Sequence, residues 1–82
     1  MREQNGLPTF ALWPHPTTGI LFVEKPDPEA ARFEVYDGLG RLIITLPFSD
    51  QIDVSVLPMG AYVALIRSFD GKPLARARFT RA

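Results

Sequence analysis

The stretch Leu57-Pro58-Met59-Gly60-Ala61-Tyr62-Val63-Ala64-Leu65-Ile66-Arg67 constrains the fold of this 82-residue chain more than any other. It opens with turn chemistry and runs straight into the longest uncharged apolar segment of the sequence. Proline fixes its own φ and glycine tolerates a positive one, so Pro58-Met59-Gly60 predicts a tight turn. Beyond it Tyr62, Ala64 and Ile66 alternate with Val63 and Leu65, the period of a strand. Apolar residues on both faces predict a central strand, covered on each side or covered on one and bordering a partner on the other. A tyrosine at the start of such a strand can bury its ring and return its hydroxyl to the turn backbone.

The rest of the chain is punctuated in the same way. Phe10–Trp13 reads as a short strand with Phe10 and Leu12 on one face and Trp13 on the other. The prolines of Pro14-His15-Pro16 predict an extended, polyproline-like step, after which Thr17 and Thr18 can cap a turn and Gly19 permits the reversal. Ile20–Val23 is a second strand, apolar on both faces, closed by Lys25-Pro26-Asp27-Pro28. Asp27, Pro28 and Glu29 suit a helix start, but Phe33 and Val35 alternate with polar neighbours. That predicts a strand at Arg32–Tyr36 with room for one helical turn before it. Asp37-Gly38-Leu39-Gly40-Arg41 is a hairpin connection, the Asp-Gly pair being its signal, and Leu42–Leu46 pairs back, ending at Pro47. Gln51–Val54 is a weaker strand. Asp70-Gly71-Lys72-Pro73 is a second hairpin turn, and Leu74–Thr80 is the last strand, with Ala77 and Phe79 facing in and Arg76 and Arg78 facing out.

Seven short strands, with all eight prolines between or beside them, predict an all-β, immunoglobulin-like antiparallel β-sandwich. Residues 1–9 read as a linker remnant and 10–82 as one domain, small enough to bury only about 60–65% of its unfolded surface. Zero cysteines exclude disulfides and thiolate chemistry. Zero net charge argues against a nucleic-acid binder, which needs a field to gather phosphates. The charge is nevertheless uneven. Residues 67–82 carry five cations against Asp70 alone, and residues 1–66 carry four against eight acids. No signal peptide or membrane-spanning run is visible, so the chain reads as cytoplasmic or as a piece cut from a longer exported protein.

Catalytic constellations are absent from this reading, and it implies no cofactor and no small-molecule substrate. His15 lies between two prolines without a companion histidine, so a solvated turn residue outweighs a metal ligand. Asp50 and Asp53 with Ser49 and Ser55 imitate a catalytic cluster, but at alternating positions they read as a polar face and turn caps. Gly38-Leu39-Gly40 lacks the further glycine and the helix that phosphate binding requires. Trp13, Tyr36 and Tyr62 suggest a sugar platform only if they share a face, and core packing is the simpler reading.

Four segments in order resemble one known series. They are Pro14-His15-Pro16-Thr17-Thr18-Gly19, Val35–Ile43 around Gly40-Arg41, Ile52–Tyr62 ending in the Leu57-Pro58-Met59-Gly60-Ala61-Tyr62 turn, and Asp70-Gly71-Lys72 before a basic, apolar tail. Together they resemble the type A C-terminal sorting domain of the type IX secretion system of Gram-negative bacteria, over nearly the whole chain from Phe10 to Ala82. The resemblance implies an immunoglobulin-like sandwich following an N-terminal cargo domain that is missing from this chain. It implies passage through the periplasm, recognition by an outer-membrane translocon, removal by a sortase-like protease and a cargo that is released or attached to anionic lipopolysaccharide.

Carried over residue by residue, the family turns fall on Pro14, Pro16 and Gly19, on Gly40 and Arg41, and on Leu57, Pro58, Gly60 and Tyr62. The export-critical tail falls on Arg76–Ala82, with Arg76, Arg78, Phe79, Arg81 and Ala82 as its candidate recognition residues. His15 stands where the family commonly has asparagine, Gly38 where an apolar residue is frequent, and arginines where lysine is common. Two other readings remain: an immunoglobulin- or fibronectin-like module binding a partner or carbohydrate through its loops, and a structural spacer of a surface enzyme.

Overall fold

The computed structural model describes residues 7–82. The first six residues of the expected linker lie outside the described residues. Seven strands follow in chain order: β1 Leu12–Trp13, β2 Ile20–Val23, β3 Ala30–Tyr36, β4 Leu42–Pro47, β5 Gln51–Asp53, β6 Gly60–Ser68 and β7 Pro73–Arg81. They form a three-stranded sheet in the order β1-β2-β5 and a four-stranded sheet in the order β4-β3-β6-β7, and every pairing between strands is antiparallel. The described residues contain no helix. The all-β sandwich expected from the punctuation is the fold observed.

Period-two alternation sorts the side chains. Leu12, Leu21, Val23 and Ile52 from the small sheet meet Phe33, Val35, Tyr62, Ala64, Ile66, Ala75 and Phe79 from the large one, all buried. Phe10, Val54 and Leu57 close the ends, and Phe10 packs edge-on against Phe33 with ring centroids 6.3 Å apart. Pro47 and Pro73 occupy strand ends, and the other prolines lie outside the strands. The spine is central as expected, since β6 lies between β3 and β7. Its inner face is fully covered, whereas Val63, Leu65 and Arg67 on the outer face are half-buried.

Four local expectations are corrected. No helical turn precedes β3. The Asp27 carboxylate accepts the Glu29 N–H at 2.8 Å and the Asp27 carbonyl accepts Ala30 N–H at 3.0 Å, a local turn that lets β3 begin at Ala30. The chain bends over residues 14–16, with both X-Pro bonds cis, where an extended step was expected. The hydrogen-bonded turn before β6 is Val54–Leu57, closed by Leu57 N–H to the Val54 carbonyl at 3.0 Å, and Pro58-Met59 is an open bend after it. The first hairpin, where Asp37-Gly38 signalled a two-residue turn, has a three-residue loop, as does the second. Gly40 (φ 80°) and Gly71 (φ 92°) supply the left-handed residue after the turn, so Gly40, not Gly38, carries the conformational demand.

The C-terminal strand is clipped to the other sheet's loops. Arg76 N–H donates to the Pro8 carbonyl at 3.0 Å, Thr17 N–H donates to the Thr80 carbonyl at 2.9 Å, and Ala82 N–H donates to the Thr17 carbonyl at 2.9 Å. Thr17 is completely buried. Its hydroxyl donates to the Ile20 carbonyl at 2.7 Å and accepts the Gly19 N–H at 3.1 Å. A buried backbone group left unpaired costs about 1–3 kcal/mol. Thr17→Val should therefore destabilise the domain by about 2 kcal/mol, read as a lower urea midpoint at unchanged m-value. An unchanged midpoint would show that the hydroxyl contributes nothing to the fold.

Candidate recognition surface

The outer face of the four-stranded sheet follows from register, because directly paired residues share a face. Three rows cross it: Pro47–Arg32–Arg67, Thr45–Glu34–Leu65–Arg76 and Leu42–Tyr36–Val63–Arg78. Four arginines thus surround a single acid, Glu34. Arg76 and Arg78 project outward and are exposed, as the alternation predicted. Reading the tail alone missed Arg32 and Arg67, which join them only once β3, β6 and β7 are seen to be adjacent. Each of those strands taken singly carried the parity signal.

Glu34 is the hub of this face. Arg67 Nε donates to its Oε1 at 2.7 Å and the Tyr36 hydroxyl donates to the same oxygen at 2.9 Å. Burial alone would raise the carboxyl's pKa. The hydrogen bonds from Arg67 and Tyr36, with the fields of Arg67 and Arg32, outweigh it and hold the group below its usual range. Arg67 is raised in turn by Glu34.

The turns of the family motifs from Pro14 to Tyr62 gather at one end of the sandwich. Pro14 and Pro16 are exposed, and Gly19 is buried against Ser55, where an added Cβ would lie 3.2 Å from the serine's Cβ. Arg41 is exposed and pairs with Asp37 through Nε at 2.8 Å, while the same carboxylate accepts the N–H groups of Leu39 and Arg41. Leu57 is buried and Pro58 exposed. The Tyr62 ring is buried and stacks on Phe79 at 5.6 Å, and its hydroxyl donates to the Pro58 carbonyl at 2.6 Å. This is the tyrosine corner of immunoglobulin-like sandwiches, and Gly60, at φ 152°, starts the strand that carries it. Within the tail, Phe79 belongs to the core, Arg81 is half-buried with Nη2 3.3 Å from the Ser55 carbonyl, and Ala82 is exposed.

Segments far apart in sequence meet at one end of the large sheet. His15 from the proline loop, Gly38 and Gly40 from the first hairpin, Tyr62 from the corner, and Arg78 and Phe79 from the tail line an open groove of about 520 Å³. Trp13, Tyr36 and Tyr62 do not share a face. Tyr62 is core, Tyr36 lies on the outer face of the large sheet, and Trp13 is 49% exposed on the small one, beside Phe22. Core packing therefore describes Tyr62 but not Trp13. The Asp53 carboxylate caps Ser55 N–H at 2.9 Å and Ser49 Oγ accepts Gln51 N–H at 3.3 Å, the turn-cap roles expected of that cluster.

Two expectations follow from these contacts. Tyr62→Phe should cost about 1 kcal/mol for the lost hydrogen bond, and Tyr62→Ala about 3 kcal/mol or more for the emptied core. A melting shift of a degree or two for the alanine variant would contradict the corner's role. Glu34, whose folded pKa is depressed, contributes stability that is full above the unfolded value and is lost as pH falls through the folded one. Glu34→Gln should lower stability at neutral pH by about 1 kcal/mol and flatten the acid limb of the stability curve. Parallel acid limbs for variant and parent in urea titrations would show that Glu34 gains nothing from its partners.

Comparison with known proteins adds one finding. The sequence matches the family described as the secretion system C-terminal sorting domain over residues 11–75. The match includes the proline loop, the first hairpin and the tyrosine corner, and stops one residue before the arginine-bearing tail. Neither the curated proteins nor the solved structures give a match. With most of its length covered and its sandwich in place, the chain belongs to the type IX secretion C-terminal sorting domains.

Proposed function

We propose that this chain is the sorting signal of a larger cargo, carrying it from the periplasm across the outer membrane to the cell surface or the medium. The observation that carries this reading is the family match over residues 11–75, which runs through all four expected turn motifs and stops at the tail. In this reading an outer-membrane translocon recognises the domain, a sortase-like protease removes it, and the domain performs no catalysis of its own. Recognition runs through the cationic outer face. Arg76 and Arg78 are its exposed members on β7, next to Arg81 and Ala82 at the end of the chain. The turn glycines, Tyr62 and Phe79 act as scaffold that holds the face in register.

The reading is supported by the division of labour among tail residues. Phe79 anchors the strand in the core, while Arg76 and Arg78 on the opposite face remain available to solvent. An unpaired cationic row suits an acidic docking surface, where charge complementarity sets partner choice and association rate more than affinity.

The test is a transplant. Residues Leu7–Ala82 are fused behind a fluorescent protein carrying an inner-membrane export signal, in cells with type IX machinery and in a translocon-deficient strain. Surface or medium fluorescence that requires the machinery is the expected result. Folded fusion retained in the periplasm of both strains would overturn the reading and favour a binding or spacer module. In the same assay Arg76→Ser combined with Arg78→Ser should abolish export without changing the melting temperature. Full export by that variant would remove the arginines from recognition.

A further inference from the structure

The pairing pattern leaves one main-chain position of the large sheet open inside the groove. Arg76 N–H points away from β6, to Pro8, so the even-numbered residues of β7 face its free edge and the odd-numbered ones face β6. The even-numbered residues of β6 accordingly face β7, and Val63, Leu65 and Arg67 face β3. On the far side of β3, Ala31 accepts Phe48 N–H, which gives the same alternation independently. Pairing of β3 with β6 stops at Tyr36↔Val63, because the chain turns at Asp37 into the hairpin. Continued by two residues, β3 would have placed Gly38 opposite Ala61. It does not, and Ala61 N–H and C=O have no backbone partner among the described residues.

Ala61 is exposed and lines the groove together with Gly38, Val63 and Arg78. Missing side chains on Gly38 and Gly40 keep that wall low, with nothing within 4 Å of where either Cβ would stand. Arg78 forms no ion pair among the described residues. The one acid at the groove, Asp37, is already engaged by Arg41 and by two backbone N–H groups. An unpaired strand position beside an uncompensated guanidinium is the complement of an extended chain bearing a carboxylate.

We propose that this groove docks a short, extended, acidic segment of the secretion machinery, which pairs its main chain with Ala61 and its carboxylate with Arg78. The proposal rests on the reading of this chain as a sorting domain, which supplies the source of the segment. His15, at the margin of the groove, adds a hydrogen-bonding ring to the same site.

The test is an amide-shift titration of the intact chain with an acetylated, amidated hexapeptide of alternating glutamate and valine. Saturable shifts should cluster at Gly38, Gly40, Ala61 and Arg78. Arg78→Ser should weaken binding about tenfold, as should glutamine in place of glutamate in the peptide. Lys72→Ser, a cation of the β6–β7 hairpin at the far end of those strands from the groove, should change affinity by less than about twofold. Ala61→Pro removes the free N–H without breaking a strand hydrogen bond and should also weaken binding at unchanged melting temperature. No saturation by about 5 mM peptide would overturn the proposal. Equal losses for Lys72→Ser and Arg78→Ser would reduce it to diffuse charge attraction and overturn it too. Concentration-dependent shifts at Ala61 without peptide would replace the acidic segment by a second copy of this chain. Export of the fluorescent fusion alongside a failed titration would sink the groove alone, whereas failed export would sink the sorting reading.

Discussion

Thr17 holds the tail of this domain in place. Its hydroxyl satisfies Gly19 and Ile20 in the connection between β1 and β2, and its backbone bonds Thr80 and Ala82 at the end of β7. One fully buried residue therefore links a turn of the small sheet to the last strand of the large one. Without that clip β7 would be a free edge along most of its length, with unpaired groups open to other strands. With it, and with Pro8 on Arg76, the edge is occupied at both ends and Arg78 lies between. The side chains repeat the pattern, since Phe79 is locked into the core by Tyr62 while Arg76 and Arg78 remain outside.

Much of this was legible in the chain because it is local. Alternation placed Tyr62, Ala64 and Ile66 inward and Arg76 and Arg78 outward. The Pro58–Tyr62 spacing foretold the hydroxyl's return to the turn. Where local signals competed, the reading slipped. Asp27-Pro28 resembles a helix start, yet the aspartate side chain closes a turn instead. Asp37-Gly38 resembles a two-residue hairpin, yet Gly40 takes the left-handed position and lengthens the loop. What stayed hidden is non-local. Arg32 and Arg67 share a face with Arg76 and Arg78 only because β3, β6 and β7 are neighbours, and no spacing within the chain states that order. The mismatch that leaves Ala61 unpaired depends likewise on where β3 stops relative to β6.

Family motifs and the proposed recognition surface therefore overlap only in the groove, which Gly40 and Tyr62 help to line. The turn residues that carry the family likeness mostly build the fold: Gly40 for its φ, Gly19 for its close approach to Ser55, Tyr62 for its ring and its hydrogen bond. The groups left over for a partner are the arginines of the outer face and the groove where hairpin, corner and tail converge. A scaffold of this kind keeps cations at fixed spacing, so ordering them on contact costs little, and charge complementarity can select the partner.

The tail is a clipped strand whose backbone, on its free side, is open at Arg78. Native-state hydrogen exchange of the 82-residue chain tests this most directly. The Arg76 amide, bonded to Pro8, should exchange at least ~10-fold more slowly than the Arg78 amide, with Ala82 also protected by Thr17. Equal, fast exchange at all three positions would mean that the clips do not hold and that the tail is presented as a loose end. Slow exchange at Arg78 would contradict the open position between them.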